Sequence, residues 1–145
     1  MIKFSQIKDL KSFCDNLFST PDYRGVLACI INGEEDFEVD NVRFISSEII
    51  DETLADELES DTYDLGCFCA QAIAHATGWP IVLIEAAQKG EAFEAIGDAM
   101  TRYQIEKLAD YYSSVDGYGH RFNRYDGGEE ELLFNGIHFH VFDNR

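Results

Sequence analysis

Between Glu34 and Asp64 the chain reads EEDFEVDNVRFISSEIIDETLADELESDTYD, with thirteen acids and a single base, Arg43. Carboxylates are almost never fully buried unless paired, so this stretch must fold with most of its side chains in water. Its apolar residues are what remains to build a core. Phe37 and Val39 alternate with Glu38 and Asp40, the period of a half-buried strand, and DFEVDNVRFI is expected as one strand. Ile49, Ile50, Leu54 and Leu58 recur at helical spacing. They predict a helix over EIIDETLADELES, capped by Ser46 or Ser47, with Glu48, Asp51, Glu52, Asp56 and Glu59 on its remaining faces.

The net charge of −17 is unevenly spread. Residues 1–33 sum to +1, residues 34–64 to −12 and residues 65–145 to −6. Such a field repels the anionic surfaces of nucleic acids and membranes and attracts basic partners or cations. The chain is not a disordered acidic tail, because 46% of it is hydrophobic and 13% aromatic. Its 145 residues suit one domain over 1–145, long enough to bury roughly two thirds of the surface its unfolded chain exposes. No apolar run reaches the roughly 18 residues of a membrane helix. The opening MIKFSQIKDLKSF is too polar for a signal peptide, so the expected location is the cytoplasm. There Cys14, Cys29, Cys67 and Cys69 are expected reduced and packed as small hydrophobes.

Other segments define the class. Ser5 is expected to cap a first helix carrying Ile7, Leu10, Phe13, Cys14 and Leu17, ended by TPDYRG. GVLACIING reads as a strand rich in branched residues, and Asn32-Gly33 as its hairpin turn. TYDLGCFCAQAIAHATG reads as one buried helix stopping at Gly78. Pro80 opens PIVLIEAAQKG as a further helix, although IVLI alone also suits a strand. EAFEAIGDAM and RYQIEKLADYYSS continue the helical region. GHRFNRYDG, EEELLF and IHFHVF read as three short strands, the last two joined by Asn135-Gly136. The expected class is α+β: an N-terminal helix and β-hairpin, a helical middle and C-terminal antiparallel strands.

The acidic block is the principal candidate site. Acids three or four apart on a helix lie about 5–6 Å from one another, a spacing comparable to that of phosphates along a nucleic-acid strand. Glu48, Asp51, Glu52, Asp56 and Glu59, extended by Asp61 and Asp64, form one such row. Glu34, Glu35, Asp36, Glu38 and Asp40 add a second patch. An ordinary solvated helix face explains the same residues at least as well. Calcium is disfavoured, because the twelve-residue loop pattern is absent. His138 and His140 share a strand face and, with His120 or with Cys67 and Cys69, have the atom types of a zinc site. Their one-residue spacings are not the usual pairing. The same residues with Asp143 offer the parts of a Cys-His-Asp enzyme, but LGCFCAQAIA reads as core. Tyr118, Phe122 and Tyr125, interleaved with Arg121 and Arg124, suit a half-buried strand with Arg-acid pairs.

The stretches LGCFCAQAIAHATGWPIVLIEAAQKGEAFEAIG and DGYGHRFNRYDGGEEELLFNGIHFHVFDN, a little under half the chain, resemble small proteins carried by phages and conjugative elements. The composition and the charged block resemble the anti-defence proteins of such elements, the antirestriction and anti-CRISPR proteins, several of which imitate DNA. This resemblance implies a non-enzymatic inhibitor that sets carboxylates where DNA phosphates would sit, on the basic DNA-binding surface of a CRISPR effector or restriction enzyme. It implies no catalytic residue, cofactor or metal, and no direct contact with nucleic acid or membrane. Exposed strand edges suit a homodimer. The alternatives are an immunity-type protein that neutralises a basic toxin and a Cys/His metal or thiol enzyme.

Overall fold

A computed structural model describes all residues 1–145. The elements in order are α1 (Phe4–Asp15), α2 (Tyr23–Ile31), β1 (Asp36–Val39), β2 (Val42–Ser46), α3 (Ile50–Glu59), α4 (Thr62–Gly66) and α5 (Ala70–Thr77). They continue with α6 (Ile81–Lys89), α7 (Phe93–Asp98), α8 (Arg102–Asp116), α9 (Gly119–Phe122), β3 (Glu130–Phe134) and β4 (Ile137–Asp143). The class is α+β. The chain divides into two compact units, Met1–Ile50 with Tyr118–Arg145, and Asp51–Gly117.

The first unit is a four-stranded antiparallel sheet in the order β1-β2-β4-β3 with α1 and α2. Alternation sends Phe37, Val42, Phe44, Leu132, Phe134, Phe139 and Val141 into one core with Leu10, Cys14, Leu17, Val26 and Ile30 of the helical segments. Phe37 stacks on Phe44 at 5.0 Å and meets Phe139 edge-on at 5.6 Å. Full burial of such a side chain stabilises by about 1.5–3 kcal/mol. The first helix forms with Leu10 and Cys14 buried, but it ends at Asp15, so Leu17 lies beyond its C-cap Asn16; its N-cap is Lys3, whose N–H donates to the Gln6 side chain, and Ser5 lies inside the helix.

GVLACIING is helix and turn, not a strand. Asp22 caps α2 by accepting the Arg24 N–H at 3.0 Å, and Val26 and Ile30, four apart, are its buried pair. The β preference of Val and Ile is a preference for packing surroundings, which the helix face here also supplies. Asn32 is then a helix C-cap rather than a hairpin residue. The hairpin lies inside DFEVDNVRFI, which is two strands: Asp40 and Asn41 take φ +51° and +66°, both left-handed, and pair Val39 with Val42. Asx residues tolerate that conformation better than other L-residues, and two such residues in succession make the hairpin turn.

GHRFNRYDG is also not a strand. It forms α9 and a loop organised by Asn123, which is 6% exposed. The Asn123 amide donates to the Gly128 carbonyl at 2.6 Å, and its oxygen accepts the N–H groups of Tyr125 and Asp126. Asn135-Gly136 joins β3 to β4 as expected, pairing Phe134 with Ile137.

The second unit is helical. Its buried residues include Leu54, Ala55 and Leu58 of α3, Leu65 of α4, Ala72, Ile73 and Ala76 of α5, Ile84 of α6, Ile96 of α7, and Ile105, Leu108 and Ala109 of α8. Ser46 does not cap α3 directly. Its hydroxyl accepts the Glu48 N–H at 3.3 Å in the turn before the helix. Glu48 therefore belongs to that turn and not to the helix. The expected helix over residues 62–78 is broken at Cys67–Cys69, because the Gln88 side chain donates to the carbonyls of Gly66 and Phe68 at 3.0 and 2.7 Å. Gly78 ends α5 at φ +76° and Pro80 precedes α6, both as expected. Thr101 and Gln104 cap α8 reciprocally, with the Gln104 N–H on the Thr101 hydroxyl and the Thr101 N–H on the Gln104 side chain.

Candidate functional site

The acidic block is divided between the two units. Glu34, Glu35, Asp36, Glu38, Asp40 and Glu48 belong to the first; Asp51, Glu52, Asp56, Glu59, Asp61 and Asp64 belong to the second. All twelve are exposed except Asp64, which is half-buried.

In the first unit, two groups separate. Glu34, Glu35 and Glu48 come together around a cavity of about 310 Å³ whose walls include Ser46, Ser47 and His138. Asp36 and Glu38 instead face bases and amides. Asp36 holds Arg43 in a two-armed pair at 2.9 and 2.7 Å, and Arg43 also lies over the Phe122 ring at 5.0 Å. Glu38 accepts from the Asn144 amide at 2.9 Å. Asp40 accepts the Asp22 N–H at 2.9 Å, so it works within the fold. The one base of the block is thus committed to one of its acids.

In the second unit, α3 buries Leu54, Ala55 and Leu58 and leaves Asp51, Glu52, Asp56 and Glu59 outward. Asp61 caps α4 by accepting the Asp64 N–H at 3.0 Å. Arg102 of α8 lies 2.8 Å from Asp56, 3.4 Å from Glu59 and 3.7 Å from Glu106. Partial burial works against its charge, but the hydrogen bonds it donates to Asp56 and Glu59 outweigh that and raise its pKa.

The excess of acid extends beyond the block. The second unit has fourteen acids against three bases, Lys89, Arg102 and Lys107, for a net charge of −11. Twelve of those acids are exposed, so hydration tempers their repulsion and the field faces outward. The same unit has an apolar cavity of about 300 Å³ between Trp79, Leu83, Ile84 and Ala87 and the α7 face of Ala95, Ile96 and Ala99. Val82 and Leu83 of α6 are 80% and 64% exposed. The sequence did not mark this surface, because Ile81, Val82, Leu83 and Ile84 are apolar all round the first turn of α6 and only Ile84 is buried.

His138 and His140 share a sheet face, with ring centroids 4.9 Å apart. On the opposite face Phe139 and Val141 are core, while Ile137, at the strand end, is 37% exposed. The expected co-ligands are not the ones that gather. His120 is exposed on α9. Cys67 and Cys69 belong to the second unit and the histidines to the first, so neither unit by itself joins these thiols to these imidazoles. Both cysteines are exposed, contrary to the core packing expected of them, because the chain leaves its helix there. Glu129 and Glu131 approach His140 instead. Sequence spacing did not mark them, since strand pairing sets Glu131 opposite His140.

No protein-family model matches the chain, and no curated protein or solved structure is similar to it. No helix is long and apolar enough to cross a membrane.

Proposed function

We propose that this protein is a non-enzymatic inhibitor acting in the cytoplasm. Its partner is the basic DNA-binding surface of a nucleic-acid-handling defence complex, a CRISPR effector or a restriction enzyme. Carboxylates occupy the positions of DNA phosphates and block DNA from binding. The observation that carries this reading is the surface of the second unit, where twelve exposed acids face three bases. Asp51, Glu52, Asp56, Glu59 and Asp61 are the block's exposed contribution to it. Steering by such a field makes association fast and salt-sensitive.

The apolar cavity supports a protein partner over a bare ion atmosphere. Its helices also carry Glu85, Glu94 and Asp98, and an apolar patch among charges is a mark of protein contact. The sheet's edge strands carry Asp36 and Glu38 on β1 and Glu130 and Glu131 on β3, and such charges disfavour edge-to-edge pairing of two copies.

The test is capture of DNA-binding complexes from a bacterial lysate, beside a variant with Glu52, Glu85 and Asp110, three exposed acids of the second unit, changed to Lys. These three acids make no ion pair, so their reversal spares the internal network around Arg43 and Arg102. Capture lost in the variant and displaced by duplex DNA supports the reading. Capture by the variant equal to the parent's overturns it. Capture of a small basic toxin that duplex DNA does not displace assigns the same surface to immunity instead.

A further inference from the structure

The sheet face opposite the core sets two imidazoles beside two carboxylates. Register places Glu131 of β3 directly across from His140 of β4. Glu129 enters just before β3, and its Oε2 lies 2.6 Å from His140 Nδ1. One ligand atom from each of Glu129, Glu131 and His140 lies within 4.8 Å of the other two. His138 stands at the edge of this group, its Nε2 3.7 Å from Glu131 Oε1. The His140 residue is 8% exposed, and the Tyr118 ring covers it edge-on at 5.0 Å.

We propose that Glu129, Glu131 and His140 bind a divalent first-row transition metal, with His138 beside the open coordination position. Bonds of roughly 2.0–2.2 Å from Zn²⁺ to nitrogen and oxygen place ligand atoms about 3.0–3.5 Å apart. The short His140–Glu129 contact then opens slightly and the longest separation closes, both within the reach of side-chain torsions. Imidazole with carboxylate suits zinc, iron or manganese, and the absence of thiolate from the set disfavours copper(I). The ion relieves two converging carboxylates and takes up a buried imidazole, which water reaches poorly. Alkaline-earth ions gather on the diffuse acidic surface elsewhere, but an imidazole ligand selects against them.

The test is a Zn²⁺ titration of the full chain by calorimetry in millimolar Mg²⁺, which saturates the diffuse surface. A Co²⁺ titration read by its visible absorption reports nitrogen and oxygen ligation. The expected result is one ion per chain, with affinity at least about tenfold weaker in Glu131→Gln and a changed Co²⁺ spectrum in His140→Gln. Glu131 is exposed, so its variant folds even if His140→Gln does not. A Glu52→Gln variant, distant in sequence from the group, should bind as the parent does. Binding that Mg²⁺ abolishes, or that Glu131→Gln and Glu52→Gln weaken equally, overturns the proposal.

Discussion

Gly66 of α4 lies against the Phe93 carbonyl of α7 so closely that a Cβ at position 66 would fall inside that oxygen's van der Waals shell. The relation is reciprocal: a Cβ on Gly97 of α7 would meet the Thr62 carbonyl of α4 in the same way. Both glycines are buried, and the two short helices cross backbone to backbone at these points. Gly66→Ala or Gly97→Ala must push the helices apart, at a cost of about 3 kcal/mol each, the upper range for overpacking. Gly90→Ala is the control, because its added carbon meets only carbonyls at 3.6 Å. Chemical denaturation should show a large loss for the first two variants and almost none for the third.

Arg102 links carboxylates from α3 and α8. A single exposed pair is worth little, but this base separates three acids that otherwise repel. Arg102→Gln is expected to lower stability by about 1 kcal/mol at low salt. Molar salt shortens the screening length to about 3 Å, so the deficit should shrink there. A deficit independent of salt would mean that the guanidinium acts through packing.

Asp143 is 1% exposed, and both of its oxygens accept from Arg145, at 2.7 to 3.1 Å. Burial pushes its carboxyl up, but the hydrogen bonds from Arg145 outweigh burial and hold its pKa below the ordinary 3.8. A depressed folded pKa stabilises fully above the unfolded value and loses that stabilisation as pH falls below about 4. Arg145→Gln removes the guanidinium and leaves burial opposed by the backbone N–H of residue 145, so the downward shift shrinks. That variant should lose about 1–3 kcal/mol at neutral pH and weaken less than the parent on acidification. Thermal melts between pH 3 and pH 7 distinguish the two slopes.

The thiols should divide by environment. Burial, and then the charges of Asp15 and Asp22, push Cys14 up to about 11. Burial and Glu34 also raise Cys29. Cys67 and Cys69 are exposed. A maleimide titration should label the exposed pair first, Cys29 more slowly and Cys14 only in denaturant. Rapid labelling of Cys14 in the native protein would contradict its burial.

Local chemistry alone determined much of this fold. The spacing of Ile7, Leu10 and Cys14, the left-handed stop at Gly78, the Pro80 start and the Asn135-Gly136 hairpin each depend on residues a few positions apart. So did the outward direction of the acids, since water is the only solvent that accepts so many carboxylates. Tertiary packing decided the rest. GVLACII became helix because Asp22 caps it and the sheet offers Val26 and Ile30 a surface, where the same branched residues also suit a strand. The helix expected through Cys67–Cys69 broke because a side chain twenty residues away, Gln88, claims its carbonyls. The partners of the histidines were equally hidden. Glu131 meets His140 only through strand register, a pairing between distant segments that no spacing within either one records.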